Sequence, residues 1–509
     1  MNSGTRTEGN SSDYEMLLRF HRETAALEQL GELAGWDQET FMPPQAVEQR
    51  SEQISALTRV IHNRMVSNEF GDLIAAAGGT GSDQVAGANL RLLRVRRRRA
   101  MAVPADLAVA IARETVMAVS AWQQARKSED SSVFLPNLKT IIRLKREEAS
   151  HLAEGGDKYA ALLSVFEPGI PSDWLDGLFR RLHDRLKHLR DAAIDTGART
   201  PELSARFQRS RQLELARIIA GSFGYDWNRG RLDQSAHPFT SGSCDDVRIT
   251  TRVDESDPYN CLYSTIHETG HGIYEQNILK DYAFMPVAGG ASFGVHESQS
   301  RFFENQVARS RAYCSWLYRK LGATFGEFGI EDERQFFAHV NRLQRGHIRT
   351  ESDEIQYNLH IMLRYDLERK LIAGELEVND LEEAWNSQFA ADFGFAVDSP
   401  SHGMLQDIHW AAGLIGYFPT YTLGNIYSGC LHDALRRDIP DLDDYLRQGD
   451  PMPAVEWMKT NIQQYGAVFQ PLKLIRRATG GEVSELPLIK YLEEKFSDLH
   501  GVGLALQAS

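Results

Sequence analysis

A chain of 509 residues, 42% hydrophobic and 25% charged, has the composition of a globular protein able to bury a large core without staples. Its formal net charge of −14 argues against a general nucleic-acid binder, which needs a basic surface. Cys244, Cys261, Cys314 and Cys430 are scattered with no CxxC pair, which excludes a disulfide framework or zinc ribbon and favours a reducing cytoplasm.

In chain order, residues 1–13 are polar and read as a flexible tail without the apolar stretch of a signal peptide. From 14 to 35, Leu17, Leu18, Phe20, Ala25, Leu27, Leu30, Leu33 and Ala34 form an apolar stripe of helical period. Further helical patterns cover 47–65, 84–101, 106–127, 135–153 and 173–193, separated by turn signals such as Glu167-Pro168-Gly169-Ile170-Pro171. The arginine-rich stretch 91–99 reads as a solvated helix face with Leu92, Leu93 and Val95 turned inward. Phe239 to Ser243 is turn-like. Next, Val247, Ile249, Thr251 and Val253 alternate with polar residues over 246–254, which predicts a strand. A small sheet at this point would suit a peptide that adds its backbone to a free strand edge. Helical patterning resumes from Ile330 onward. No linker forces a boundary, so 14–509 is expected to be one helical domain, and no run of roughly eighteen apolar residues proposes a membrane span.

The chemistry concentrates in His267-Glu268-Thr269-Gly270-His271. Residues four apart share a helix face, so His267 and His271 can offer two imidazoles to one metal ion. Glu268 lies about 100° round the helix, suited to a water on that metal rather than to the metal itself. Ser264 and Thr265 suit the approach to this helix, after Pro258. Gly270 and Gly272 weaken a helix by about 1 kcal/mol each, a cost that makes sense where another backbone or a ligand comes close. A catalytic zinc needs a third protein ligand and an open position. Tyr274 and Asn277 stand where an H-x-x-G-x-x-H extension would place glycine and histidine, so a carboxylate is the better third ligand. Glu297, 26 residues after His271, leaves room for a loop and a return helix; the adjacent His296 would point about 100° away from it.

Five motifs in order then carry a resemblance. They are Asp246 to Thr250 (D-x-R-x-T), His267 to His271 (H-E-x-x-H), His296 to Gln299 (H-E-S-Q), Ile348 to Asp353 (I-R-x-x-A-D) and Gly403 to Trp410 (G-x-x-Q-D-x-H-W). The fourth departs once, with Ser352 in place of alanine. The sequence resembles the M32 metallocarboxypeptidases of the thermostable carboxypeptidase Taq type. That resemblance implies a mostly α fold: a single large helical domain with a deep central groove, related to neurolysin and angiotensin-converting enzyme. It also implies a homodimer that acts on peptides, with zinc (cobalt can substitute) held by His267, His271 and Glu297, and Glu268 as general base.

Other residues have both structural and functional readings. Arg349 and Asp353, i and i+4 on an expected helix, form either a surface ion pair or a guanidinium that captures a peptide's C-terminal carboxylate, oriented by Asp353. His409 and Tyr421, or Tyr417 in its place, pack in an aromatic core or donate to the oxyanion formed during hydrolysis. Arg248 anchors substrate or pairs with Asp246. The expected reaction is removal of one C-terminal residue with broad specificity. The alternatives are a related helical metallo-oligopeptidase or dipeptidyl carboxypeptidase, more remotely a non-haem iron enzyme, and a non-catalytic helical scaffold.

Overall fold

The computed structural model describes residues 6–78, 83–194 and 202–500. Helices α1 (Arg6–Thr40), α2 (Val47–Val66), α3 (Asn68–Ala76) and α4 (Gln84–Ala102) come first. Helix α1 thus begins inside the segment expected as a tail, whose residues 1–5 lie outside the described part. These four helices keep a small core of their own, built from Leu17, Met65, Phe70, Ile74, Ala77, Leu90 and Leu93. The stripe on α1 is only partly used: Leu17 is fully buried, but Leu30 and Leu33 are 56% and 39% exposed. The basic run on α4 bonds within the chain. Arg91 donates to the carbonyls of Ala467 and Val468, Arg96 pairs with Glu28, and Arg99 donates to the Ser164 carbonyl, while Leu93 turns inward.

Helices α5 (Ala105–Ser128), α6 (Leu135–Ala153), α7 (Lys158–Leu163), α8 (Ser172–Ile194) and α9 (Arg209–Ser222) lead to the main core. A three-stranded sheet follows: β1 (Gly230–Gln234), β2 (Thr240–Ser243) and β3 (Asp246–Thr251), in the order β1-β3-β2. Strand β3 pairs parallel with β1 and antiparallel with β2. The expected strand is therefore present, though it ends at Thr251, and the segment read as turn-like is its edge partner. Thr240-Ser241-Gly242-Ser243 lacks the apolar alternation of a strand, and Gly242 adopts φ +93. Its pairing comes from β3 rather than from its own side chains.

Beyond the sheet run α10 (Pro258–Asn277), α11 (Phe293–Arg301), a π-helical turn (Phe302–Ala308), α12 (Arg311–Phe325) and α13 (Glu333–Val340). Helices α14 (Gln356–Ala373), α15 (Leu381–Phe393), α16 (Pro419–Asp438), α17 (Leu442–Leu446), α18 (Met452–Asn461), α19 (Pro471–Thr479) and α20 (Leu486–His500) complete the chain. The fold is mostly helical with a small sheet, as expected. No helix among the described residues is long and apolar enough to cross a membrane.

Three contacts set the chemistry-bearing helices in place. Helix α10 starts at Pro258, with Asp257 accepting from the Tyr259 N–H at 2.8 Å, so Ser264 and Thr265 lie inside it rather than at its approach. A Cβ on Gly270 would stand 2.6 Å from the Ser300 Cα, so α11 crosses α10 where only glycine allows it. The start of α11 is held by buried Glu167, which accepts from the Gly294 N–H (2.8 Å) and the Ser292 hydroxyl (2.9 Å).

Candidate metal centre

His267 and His271 stand on one face of α10, and Glu297 projects from α11 across the Gly270 crossing. Glu297 Oε2 lies 3.8 Å from His267 Nε2 and 3.5 Å from His271 Nε2. One ligand atom from each of the three lies within 4.8 Å of the other two. The rear ring nitrogens are engaged: His267 Nδ1 with Glu304 Oε2 at 2.9 Å, and His271 Nδ1 with His296 Nδ1 at 2.6 Å. His296 Nε2 in turn meets Glu275 Oε1 at 2.9 Å. A histidine whose rear nitrogen is held this way presents its other nitrogen in a fixed direction. Two imidazoles and a carboxylate thus converge with their free atoms inward, a donor set that suits zinc. His296 does not compete with Glu297; it supports His271 from behind.

Two residues around this triad were not singled out by the sequence. Glu304 lies in the π-helical turn, an element found frequently at functional sites. Arg301 donates Nε to Glu297 Oε1 at 2.7 Å and reaches Glu304 at 3.4 Å. The signal was the spacing of Glu297, Arg301 and Glu304, which repeats at helical period. Burial alone would raise the Glu304 carboxyl, but Arg301 and the His267 hydrogen bond overcome it and hold it down at about 2. Burial likewise opposes ionisation of Glu297, and Arg301 and His267 prevail, so it stays below the usual carboxylate range. Burial also pushes the His271 imidazolium down to about 3, the neutral form a metal ligand needs.

Glu268 is buried and its Oε2 accepts from Thr240 Oγ1 at 2.7 Å, so strand β2 orients it. Burial raises its carboxyl above the usual range, against His267 and the Thr240 hydrogen bond.

The remaining sites meet in a second cluster. Arg349 is 5% exposed and sits in a 3-10 turn, not on a helix, so it shares no helix face with Asp353. Asp353 instead lies just ahead of α14, accepting from the N–H groups of Ile355 (2.9 Å) and Gln356 (3.0 Å). The residue that orients Arg349 is Asp407, at 2.7 Å from NH2 and 3.2 Å from Nε, while NH1 donates to Tyr357 Oη at 2.9 Å. The Asp407 carboxylate also binds Arg364, 2.7 Å from its Nε. Two buried guanidiniums therefore share one carboxylate. His409 Nε2 lies 3.2 Å from Tyr421 Oη, and His409 Nδ1 is buried without a hydrogen-bond partner. Burial, aided by Arg349 and Arg364, pushes His409 down to about 4, so it is neutral near pH 7. Tyr417 packs edge-on against Tyr421, with ring centroids 5.4 Å apart. Arg301 links this cluster to the triad, since its guanidinium lies 4.2 Å from the Tyr357 ring centre.

Arg248 forms the ion pair with Asp246, at 2.7 and 2.9 Å, and lies 4.2 Å from the Trp36 ring centre on α1. Together with the Gln29 to Ser243 hydrogen bond (3.2 Å), this fastens α1 to the sheet.

Residues 16–496 match the family model described as carboxypeptidase Taq (M32) metallopeptidase. Thermostable carboxypeptidase 1 of Thermus thermophilus is 39% identical over 96% of this chain and 99% of its own. The crystal structure of an M32 carboxypeptidase from Deinococcus radiodurans R1 superposes with a TM-score of 0.93 at 35% identity, covering 96% of this chain and 100% of the other. Metallocarboxypeptidase 1 of Trypanosoma cruzi gives 0.92 at 32% identity, covering 95% and 99%. Likeness of this extent, in sequence and in backbone, is that of kin: the chain belongs to the carboxypeptidase Taq (M32) family of metallopeptidases and is a metallocarboxypeptidase.

Proposed function

We propose that this chain is a zinc carboxypeptidase of broad specificity, in which His267, His271 and Glu297 hold the ion and Glu268 is the general base. Cobalt fits the same donors. When bound, the ion polarises the scissile carbonyl and lowers the pKa of water towards neutrality. Glu268, held by Thr240, takes a proton from the attacking water and returns it to the departing amine. Tyr421 donates to the developing oxyanion, with His409 aligned by their contact at 3.2 Å. Tyr417 is the understudy for that donor.

One observation carries the assignment to a C-terminal bond: Arg349 and Arg364 converge on the single carboxylate of Asp407. Their charges leave one positive unit uncompensated, and a free C-terminal carboxylate would neutralise it. Arg349 receives that carboxylate on the N–H bonds facing away from Asp407. Arg248 is already held by Asp246 and Trp36, so its part is to keep α1 on the sheet rather than to grip substrate. Residues 14–509 form one peptidase unit in this reading, with a cytoplasmic homodimer as the working form; the four free cysteines suit a reducing compartment.

The test is a peptide pair differing only at the C-terminus, free acid against amide, with products read by mass spectrometry. Sequential loss of single residues from the acid, abolished by a chelator, is expected. Equal cleavage of the amide, or release of dipeptides, overturns the reading.

A further inference from the structure

A second convergence of ligand-type side chains lies beside the Arg349 cluster. One donor atom from each of His347, Asp398 and His402 lies within 4.8 Å of the other two. His347 sits in the loop ahead of the Arg349 turn; Asp398 and His402 sit in the loop after α15. Gln406 braces both loops, donating Nε2 to the backbone carbonyls of His347 (3.1 Å) and His402 (3.0 Å). Its Oε1 accepts from the Arg349 N–H at 2.9 Å, so the brace is itself anchored.

The His347 ring is fixed as well. It stacks on Phe389 at 5.5 Å and meets Phe395 edge-on at 5.0 Å, with Nε2 3.0 Å from the Ala396 carbonyl. A carbonyl only accepts, so Nε2 carries the hydrogen and the neutral ring leaves its lone pair on Nδ1. His402 Nδ1 donates to Asp398 Oδ1 at 2.6 Å, and the two histidine rings lie 5.2 Å apart and nearly parallel. The Asp398 and His402 side chains are 60% and 43% exposed, which leaves the cluster open to ions from solvent.

We propose that His347, Asp398 and His402 form a second metal site, separate from the His267–His271–Glu297 triad. Two imidazoles and one carboxylate select a borderline transition cation such as Zn2+, Ni2+ or Cu2+ over Ca2+ or Mg2+. On binding, the hydrogen of the neutral His402 ring moves from Nδ1 to Nε2, so that Nδ1 and the Asp398 carboxylate both turn lone pairs to the cation. The braced loops reduce the reorganisation the site needs on binding. The ion pair of His402 and Asp398 needs no third donor, yet His347 brings one within the same 4.8 Å.

The experiment is equilibrium dialysis of the metal-free full-length chain against Zn2+, with bound metal measured by atomic absorption. Wild type, His402→Ala, Asp398→Asn, Glu297→Gln and the Glu297→Gln/His402→Ala double variant are compared, with circular dichroism to confirm folding. The two peripheral substitutions fall on exposed side chains, and either one suffices for the comparison. The expected result is one bound ion fewer in His402→Ala and in Asp398→Asn than in wild type. It is also that the ion retained by Glu297→Gln disappears in the double variant. The proposal is overturned if both peripheral variants bind as much zinc as wild type. Failure of the triad to bind would instead appear as wild type and Glu297→Gln holding the same number, a result that leaves the His402-dependent ion in view.

Discussion

Replacing Glu304 tests whether the metal ligands are aimed from behind. Its Oε2 is 2.9 Å from His267 Nδ1, and its carboxylate also meets Arg301 at 3.4 Å and Arg309 at 3.5 Å. In Glu304→Ala the imidazole loses the acceptor that fixes its tautomer and its orientation, while Glu297, His271 and Glu268 keep their partners. Losses of this kind weaken metal binding about 10- to 100-fold, or about 1.4 to 2.7 kcal/mol. Glu304→Gln can still offer an amide oxygen to Nδ1 but no charge, so it should fall at the lower end of that range. The assay is competition for Zn2+ between the metal-free protein and a chromophoric chelator, with urea unfolding measured alongside. Unfolding matters because Arg301 and Arg309 also lose a partner, and hydrogen bonds to charged groups are worth about 1.5 to 3 kcal/mol. A folded Glu304→Ala protein whose zinc affinity stays within about twofold of wild type refutes the reasoning.

Four further outcomes follow from the same contacts. Glu268→Gln should lower kcat on a free-acid peptide by about 10²- to 10⁴-fold with bound zinc unchanged; activity near wild type would remove Glu268 as the base. Arg349→Gln should cost about 2–5 kcal/mol in kcat/KM on the free acid while barely touching the amide, and equal losses on both would assign Arg349 to structure alone. Asp407→Asn leaves two buried guanidiniums unpaired and should lower stability to urea by about 3–5 kcal/mol near neutral pH. Although burial opposes its ionisation, Arg349 and Arg364 hold the Asp407 carboxyl well below its ordinary value. A depressed folded pKa gives stability that is full above the unfolded value and is lost as pH falls through the folded one. The gap between wild type and Asp407→Asn should therefore narrow in acid, below about pH 4, and a gap independent of pH contradicts the charge argument. Gly270→Ala places a Cβ 2.6 Å from the Ser300 Cα and 2.8 Å from the Gln299 carbonyl oxygen, so it should destabilise by about 1–3 kcal/mol in urea.

Long helices were legible because their apolar residues recur at helical period: α6 matches its expected bounds, and α2, α4, α5 and α8 agree to within a residue at either end. The sheet was legible only at β3, whose Val247 and Ile249 face the core. Strands β1 and β2 are short and polar, without apolar alternation: β2 is set by its hairpin to β3, with Ser243 opposite Asp246, and β1 by a parallel pairing with Gly230 opposite Val247. The convergence of His267, His271 and Glu297 was legible because two of them share one turn of helix and the third fits its loop length. The expected pairing of Arg349 with Asp353 did not form, because the i, i+4 argument assumes a helix where the chain makes a 3-10 turn.

By itself, then, the sequence determined the helical class and named His267, His271 and Glu297 as candidate ligands, which the fold does bring together, with Glu268 beside them. Those are consequences of local periodicity and of what each side chain can donate. The tertiary structure alone decided what orients them: Glu304 and the His296–Glu275 pair behind the imidazoles, Thr240 on Glu268, and Asp407 between Arg349 and Arg364. Thr240 and Asp407 are 28 and 58 residues from the side chains they hold. No local rule selects partners at that separation; the crossing of α10 and α11 at Gly270 and the convergence of distant loops on Arg349 do.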